Sequence, residues 1–312
     1  MELPLTAVPE PDAALEPEGF VVVVEPGDRI HFLDWGRRAG ARTAAGGVLA
    51  VHGLSQTAWA WAPVARRLGG TSGRHVVTMD LRGHGLSDAP TDDGAYDLAV
   101  LAVDVEAVAE GSGLLTAGAD DRVVLAGHGF GAVVAAVAAA RLGERCAGLL
   151  LVDGGWEALE DATGVDADEF LRGLDEPPEV MRSMAAFLAD RRGFDPASWN
   201  ADQQRAARAT VVETHAGRVV PSTRPHALEA CVRAMFTYDP RGTLAPVEAP
   251  VLALMAVDDE TGSGGEALEA ASAARVAAGH RPIEVMRFGS DGHNLMRYRP
   301  REVAAAIVSL AD

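Results

Sequence analysis

"RVVLAGHGFGAVVAAVAAAR", Arg122 to Arg141, decides how the rest of the chain is read. A β-branched run over Val123–Gly127 stops at Gly127-His128-Gly129-Phe130-Gly131, and an Ala- and Val-rich stretch of helical character follows at once. A strand that turns directly into a helix brings the backbone close to itself, so the positions two before and two after the apex must be small, as Gly127 and Gly131 are. The apex itself is Gly129, which has no side chain. A helix starting at Phe130 would aim its free N–H groups and the positive end of its dipole at that apex. Position argues against a dinucleotide-binding glycine loop. That loop would follow the first strand and precede an acidic ribose ligand, whereas this turn follows the fifth strand and runs on into AVVAAV.

Working outward, short apolar runs alternate with helical patterns. Strands are expected at Phe20–Glu25, Arg29–Gly36, Gly47–Gly53, His75–Asp80, Val123–Gly127, Gly148–Asp153, Val251–Val257 and Ile283–Phe288. The first two read as an antiparallel pair and the later, continuously apolar ones as buried parallel strands. Helices are expected near Trp59–Leu68, Leu98–Leu115, Phe130–Leu142, Gly265–Ala278 and Arg301–Leu310. The alternation predicts an α/β fold, with a mostly parallel eight-stranded sheet covered on both faces. Roughly a hundred residues separate the strand ending at Asp153 from the one starting at Val251, far more than an ordinary connection needs. Residues 156–243 are therefore read as an inserted helical cap, 19–155 and 244–312 as the core, and 1–18, rich in Pro and Glu, as a mobile tail. Within the cap, Trp199, Met184, Phe187 and Phe236 are the residues expected to line an apolar pocket.

Composition narrows the partners. The net charge of −18 over 312 residues repels phosphate backbones and anionic lipid surfaces, which argues against nucleic acid and membrane. The N-terminus has no basic or apolar signal region, no apolar run is long enough to cross a bilayer, and two cysteines make no disulfide framework. A cytoplasmic, reduced protein is expected, with no metal and no cofactor.

Three motifs then stand in a telling order: VHGLSQTAW from Val51, DLRGHGLSD from Asp80 to Asp88, and the turn at Gly129. With these the chain resembles the α/β-hydrolase superfamily from about Gly19 to the C-terminus, in its esterase, haloperoxidase and epoxide-hydrolase-like branch. The resemblance makes the turn a nucleophile elbow, Gly-x-Ser-x-Gly, with glycine where the serine belongs. It implies backbone oxyanion donors at Leu54 and Phe130, a base at His293 in GSDGHNLMRYRPREV, and an acid after the strand ending at Val257. For the acid, Asp259 is preferred to Asp258, with Asp153 a third candidate. Asp80, Arg82, His84 and Asp88 read as structural, His128 as a residue pointing into the sheet, and Ser55 as a loop-capping hydroxyl.

A triad divides its labour: the hydroxyl attacks, His removes its proton, and Asp orients the imidazole. Gly129 deletes the first role alone. The reading is a hydrolase of an ester, lactone or amide of a small apolar carbonyl compound without its serine nucleophile, whether by engineering or by natural loss. Two alternatives stand beside it: a His-Asp dyad enzyme using water or lyase or cyclase chemistry, and a non-catalytic small-molecule binding protein.

Overall fold

A computed structural model describes residues 5, 8–36, 46–69, 74–116, 121–174, 181–257, 263–289 and 292–311. The chain opens with the strands β1 (Glu18–Val24), β2 (Asp28–Asp34) and β3 (Gly47–Val51). It continues through α1 (Ala62–Leu68), β4 (Val76–Met79), α2 (Leu98–Gly111), β5 (Val123–His128), α3 (Phe130–Leu142) and β6 (Cys146–Val152). After an inserted segment come α9 (Pro240–Leu244), β9 (Val251–Val257), α10 (Ser263–Ala277), β10 (Glu284–Gly289), α11 (Leu295–Tyr298) and α12 (Pro300–Ala311). Eight strands form one sheet in the order β1-β2-β4-β3-β5-β6-β9-β10. β2 pairs antiparallel with both β1 and β4, and every other pairing in the sheet is parallel. This is the α/β-hydrolase fold expected from the order of the motifs.

The strands read as unbroken apolar runs because both faces are covered. Leu49, Val51, Val123, Leu125, Leu149, Leu151, Val251 and Ala253 turn to one side, where α2, α3, α9 and α10 pack on them. Their neighbours Val48, Ala50, Val124, Ala126, Leu150, Val152, Leu252 and Leu254 turn to the other, under α1 and α12. The central helix α3 is buried nearly all round, which is why its sequence is almost wholly Ala, Val and Gly.

Between β6 and α9 lie α4 (Leu159–Thr163), α5 (Ala167–Leu174), α6 (Met184–Phe194) and α7 (Ala201–Ala209), then β7 (Val211–Glu213), β8 (Val219–Pro221) and α8 (Pro225–Phe236). The sequence reading expects residues 156–243 to form a helical cap. Instead α7 ends at Ala209, and Val211 and Val212 enter a two-stranded hairpin opposite Pro221 and Val220. Two β-branched residues in succession favour that extended pairing. Within the N-terminal stretch two points are anchored: Val8 is 5% exposed, and Arg66 of α1 binds the Leu15 carbonyl, Glu16 (2.9 Å) and Asp202 of α7 (2.9 Å). An apolar Val8 and one buried guanidinium supply the anchors that a Pro/Glu-rich composition conceals.

Candidate active site

Gly129 sits at φ 52°, ψ −117°, a left-handed conformation that a residue with a Cβ adopts only under strain. The flanking glycines answer a different need, close approach. A Cβ on Gly127 would collide with the Gly131 carbonyl oxygen, and one on Gly131 with the carbonyl oxygens of Val51 and His52. The Gly129 amide donates to Val152 O at 3.0 Å, fixing the apex against the end of β6.

Above the apex stands His293, from the loop between β10 and α11. Its Nε2 lies 3.2 Å from the position that a Cβ on Gly129 would take, so a hydroxyl there falls within hydrogen-bond reach of the imidazole after a shift of a few tenths of an ångström. On the other side of the ring, His293 Nδ1 meets Asp153 Oδ2 at 2.6 Å. The carboxylate at the base is thus Asp153, the third candidate of the sequence reading, while the preferred Asp259 lies outside the described residues. Asp153 is held at φ 46°, its amide donates to Leu254 O (2.8 Å) and its Oδ1 accepts from Ala256 N (2.8 Å). Backbone strain at a residue locked by two side-chain contacts and one backbone contact is typical of sites where geometry matters to chemistry.

Leu54 and Phe130 both border the small chamber around Gly129 and His293. Among the described residues neither amide has an acceptor, so two N–H groups stand ready for a carbonyl oxygen. The Leu54 loop is braced by Gln56, whose Oε1 accepts from Gly53 N (3.0 Å) and whose Nε2 donates to Asn294 Oδ1 (2.6 Å). Ser55, at φ 59°, hands its amide to His84 Nε2 (3.2 Å) and borders the neighbouring, larger chamber instead. It stands outside the small chamber in which Gly129 and His293 meet.

The other histidines serve the scaffold. His128 is 1% exposed, with Nδ1 3.0 Å from Gln56 Oε1, Nε2 3.0 Å from the His293 carbonyl oxygen and its ring 4.3 Å from that of His293. Burial, aided by the neighbouring His293, pushes it down to about 3, so it is neutral and its one N–H steadies the base loop. His84 is pushed down to about 3 by burial, with His52 adding to the effect. Asp80 accepts from Ala58 N (2.7 Å) and faces His31 Nδ1 (2.8 Å), and Arg82 is clamped between Asp104 (2.6 Å) and Asp28 (2.6 Å). These groups hold loops together. Both cysteines are buried, and burial pushes their thiols up to about 12, so neither carries a thiolate near neutral pH.

Two chambers adjoin at Gln56, which borders both. The smaller, about 250 Å³, holds Gly129, His293, Asp153, Leu54 and Phe130, with Met235, Tyr238 and Leu159 as outer walls; neither Tyr238 nor Leu159 carried a sequence signal. The larger, about 550 Å³, is bordered by Phe187 and Trp199, as expected, but Met184 and Phe236 border neither, and Phe236 packs edge-on against Phe170 at 5.6 Å. His293 and the amides of Leu54 and Phe130 converge in the smaller chamber. Among the described residues no group of His, Cys, Asp or Glu could hold a metal ion, and no helix is long and apolar enough to cross a membrane.

The profile described as "Alpha/beta hydrolase family" matches residues 48–306. Over 124 residues the chain is 29% identical to Epoxide hydrolase 4 of Mus musculus, a stretch that makes up 40% of this chain and 31% of that protein, so the chain spans about a third of the length of the curated relative it matches. Among solved structures it resembles E-2-(acetamidomethylene)succinate hydrolase, with a TM-score of 0.73 at 20% identity, over 94% of this chain and 98% of that one. It also resembles an esterase of M. tuberculosis, with a TM-score of 0.66 at 20% identity, over 95% and 92% of the two chains. At such identities the structural likeness speaks for the fold alone.

Proposed function

This chain belongs to the α/β-hydrolase family, and from that premise we propose that its site is built to bind and polarise the carbonyl of an ester or lactone, with a small apolar carbonyl compound as substrate, and lacks only the nucleophilic hydroxyl. The observation that carries the reading is His293, oriented by Asp153 and placed 3.2 Å from where the first side-chain atom of residue 129 would be. A base aimed at an empty position, with two amides free to receive an oxyanion, is a serine-hydrolase site without its serine. Such a site retains about 10³–10⁴ of rate over water through its oxyanion donors and binding alone. Residual turnover would run through water: His293 takes its proton, the oxygen attacks the carbonyl, and charge gathers at the Leu54 and Phe130 amides. The segment over the chambers acts as a cap in this reading. The net charge of −18 argues against a nucleic-acid partner, and two unpaired cysteines suit the cytoplasm.

The test is hydrolysis of short activated esters by the protein and its Gly129→Ser variant. A large gain in the variant supports the proposal. A folded Gly129→Ser protein that does not hydrolyse them would mean that the pocket serves binding or another reaction.

A further inference from the structure

What the His293 base faces is main chain. Its Nδ1–H donates to Asp153 Oδ2 at 2.6 Å, so Nε2 is the nitrogen left to accept a proton, and Nε2 lies 3.2 Å from the position of a Cβ on Gly129. Among the described residues the next atoms around that position are His293 Cε1 at 3.5 Å and Gly53 Cα at 4.0 Å. The space before the base is therefore walled by backbone and the imidazole, and it belongs to the chamber of about 250 Å³ that Val133, Leu159 and Met235 also border. In a complete triad a bonded side chain occupies this space and takes up the acyl group before any acceptor can receive it. With glycine at position 129, a second small molecule can meet the base directly.

From this we propose that the protein transfers the acyl group of its ester in one step to a small primary alcohol of methanol's size, seated where a serine side chain would stand. The inference rests on the hydrolase reading for the roles of His293 and the two amides. Methanol has as many non-hydrogen atoms as a serine side chain. Its oxygen must stand farther from the Gly129 Cα than a bonded one would, and a residue without a Cβ leaves room for that. The step balances without a further reactant. His293 Nε2 takes the hydroxyl proton while the alcohol oxygen bonds to the acyl carbon, and charge gathers on the carbonyl oxygen at the Leu54 and Phe130 amides. Collapse then breaks the bond to the leaving oxygen, which receives the same proton from Nε2. A methyl ester and the leaving alcohol result, and no acyl-enzyme forms. Val133, Leu159 and Met235 offer the methyl group apolar contact that a water molecule cannot use, worth about fourfold for one buried group of that size. The Asp153 carboxylate beside the base and the net charge of −18 disfavour an anionic acceptor, whereas a neutral hydroxyl brings the proton that the base removes.

The test uses the full chain with 4-nitrophenyl butyrate in the presence of methanol or tert-butanol. Nitrophenolate release gives the rate, and gas chromatography separates the butyrate ester from butyrate. The ratio of methyl ester to acid should exceed that of the uncatalysed reaction by about fourfold, and tert-butanol, too bulky for the space beside Gly53 and His293, should give no such excess. His293→Ala should lower the methanol-dependent rate by about 10²–10⁴-fold. Gly129→Ala, shown to be folded by circular dichroism, should lose the transfer because its methyl takes the acceptor's place. A ratio equal to the uncatalysed one, an equal excess with tert-butanol, a methanol-dependent rate that survives His293→Ala, or transfer retained by folded Gly129→Ala would each overturn the proposal. The two ideas fail separately. An active Gly129→Ser protein beside a native one without transfer sinks this inference alone, and transfer by the native protein beside a folded, inactive Gly129→Ser sinks the missing-serine reading alone.

Discussion

The elbow and the base loop face each other across Gly129, yet they are built by opposite means. The elbow is main chain against main chain: β5 is wholly buried, and Gly127 and Gly131 are glycines because backbone carbonyls occupy the space of a Cβ. The base is held by side chains. His293 has a side chain 58% exposed, kept in place by Asp153 at 2.6 Å, by the buried His128 under its carbonyl at 3.0 Å and by the Gln56–Asn294 pair next to it. Half of the site is therefore fixed by packing that cannot yield, and half by a few polar contacts that one substitution can remove. The first half should fail through stability, the second through chemistry.

The largest expected effect is on the chemical half. In a Gly129→Ser background, Asp153→Asn should lower kcat by about 10²–10⁴, because the imidazole loses the partner that sets its tautomer and balances its charge. Asp259→Asn should leave kcat within a few-fold. Steady-state kinetics on both variants decides the acid, and the reverse pattern would return the role to Asp259. The packing half is tested by Gly131→Ala, which drives a Cβ into the carbonyl oxygens of Val51 and His52. Its cost should exceed the about 1–3 kcal/mol usual for an overpacked core, read as a shift of the urea midpoint.

Why one half could be read from the sequence and the other could not follows from the same contrast. Close backbone approach leaves a local trace, glycines at fixed spacing after an apolar strand, and parallel strands buried on both faces leave unbroken apolar runs. The order of elements and the glycine turn were legible for that reason, while His293 came from the family resemblance. That Asp153 meets His293 was not, because β6 and β9 are neighbours in the sheet, with Val152 beside Leu254, so the ends of both strands arrive at the same rim. Spacing along the chain cannot say which end carries the working carboxylate. Nor does spacing reveal that Gln56 reaches Asn294, 238 positions away, or that Val8 packs into the core.

Smaller effects sharpen the contrast at the apex itself. Gly129→Ala should destabilise by about 1–3 kcal/mol, since its backbone is left-handed at φ 52° and the new methyl would stand 3.2 Å from His293 Nε2. An apex with ordinary helical φ would instead be stabilised by about 0.4–1 kcal/mol, so the sign of the change in unfolding free energy is informative. The buried histidines give a pH signature. His84 and His128 fall from 6.5 to about 3 on folding, so in that window the unfolded chain holds protons that the native one does not. Stability is present in full above about pH 6.5 and is lost as the pH falls toward 3, with a slope of up to about 1.4 kcal/mol per pH unit for each ring. Urea titrations at pH 7 and pH 5 should show the loss, and His128→Asn should flatten its slope.

The measurement that bears most directly on the central claim, a complete hydrolase site short of one hydroxyl, is covalent labelling by a fluorophosphonate probe followed by intact-mass and peptide analysis. The protein should remain unlabelled. Gly129→Ser should gain one phosphonyl group on the peptide carrying position 129, and adding His293→Ala should abolish that gain. A folded Gly129→Ser protein that stays unlabelled, or labelling that persists without His293, would contradict the account.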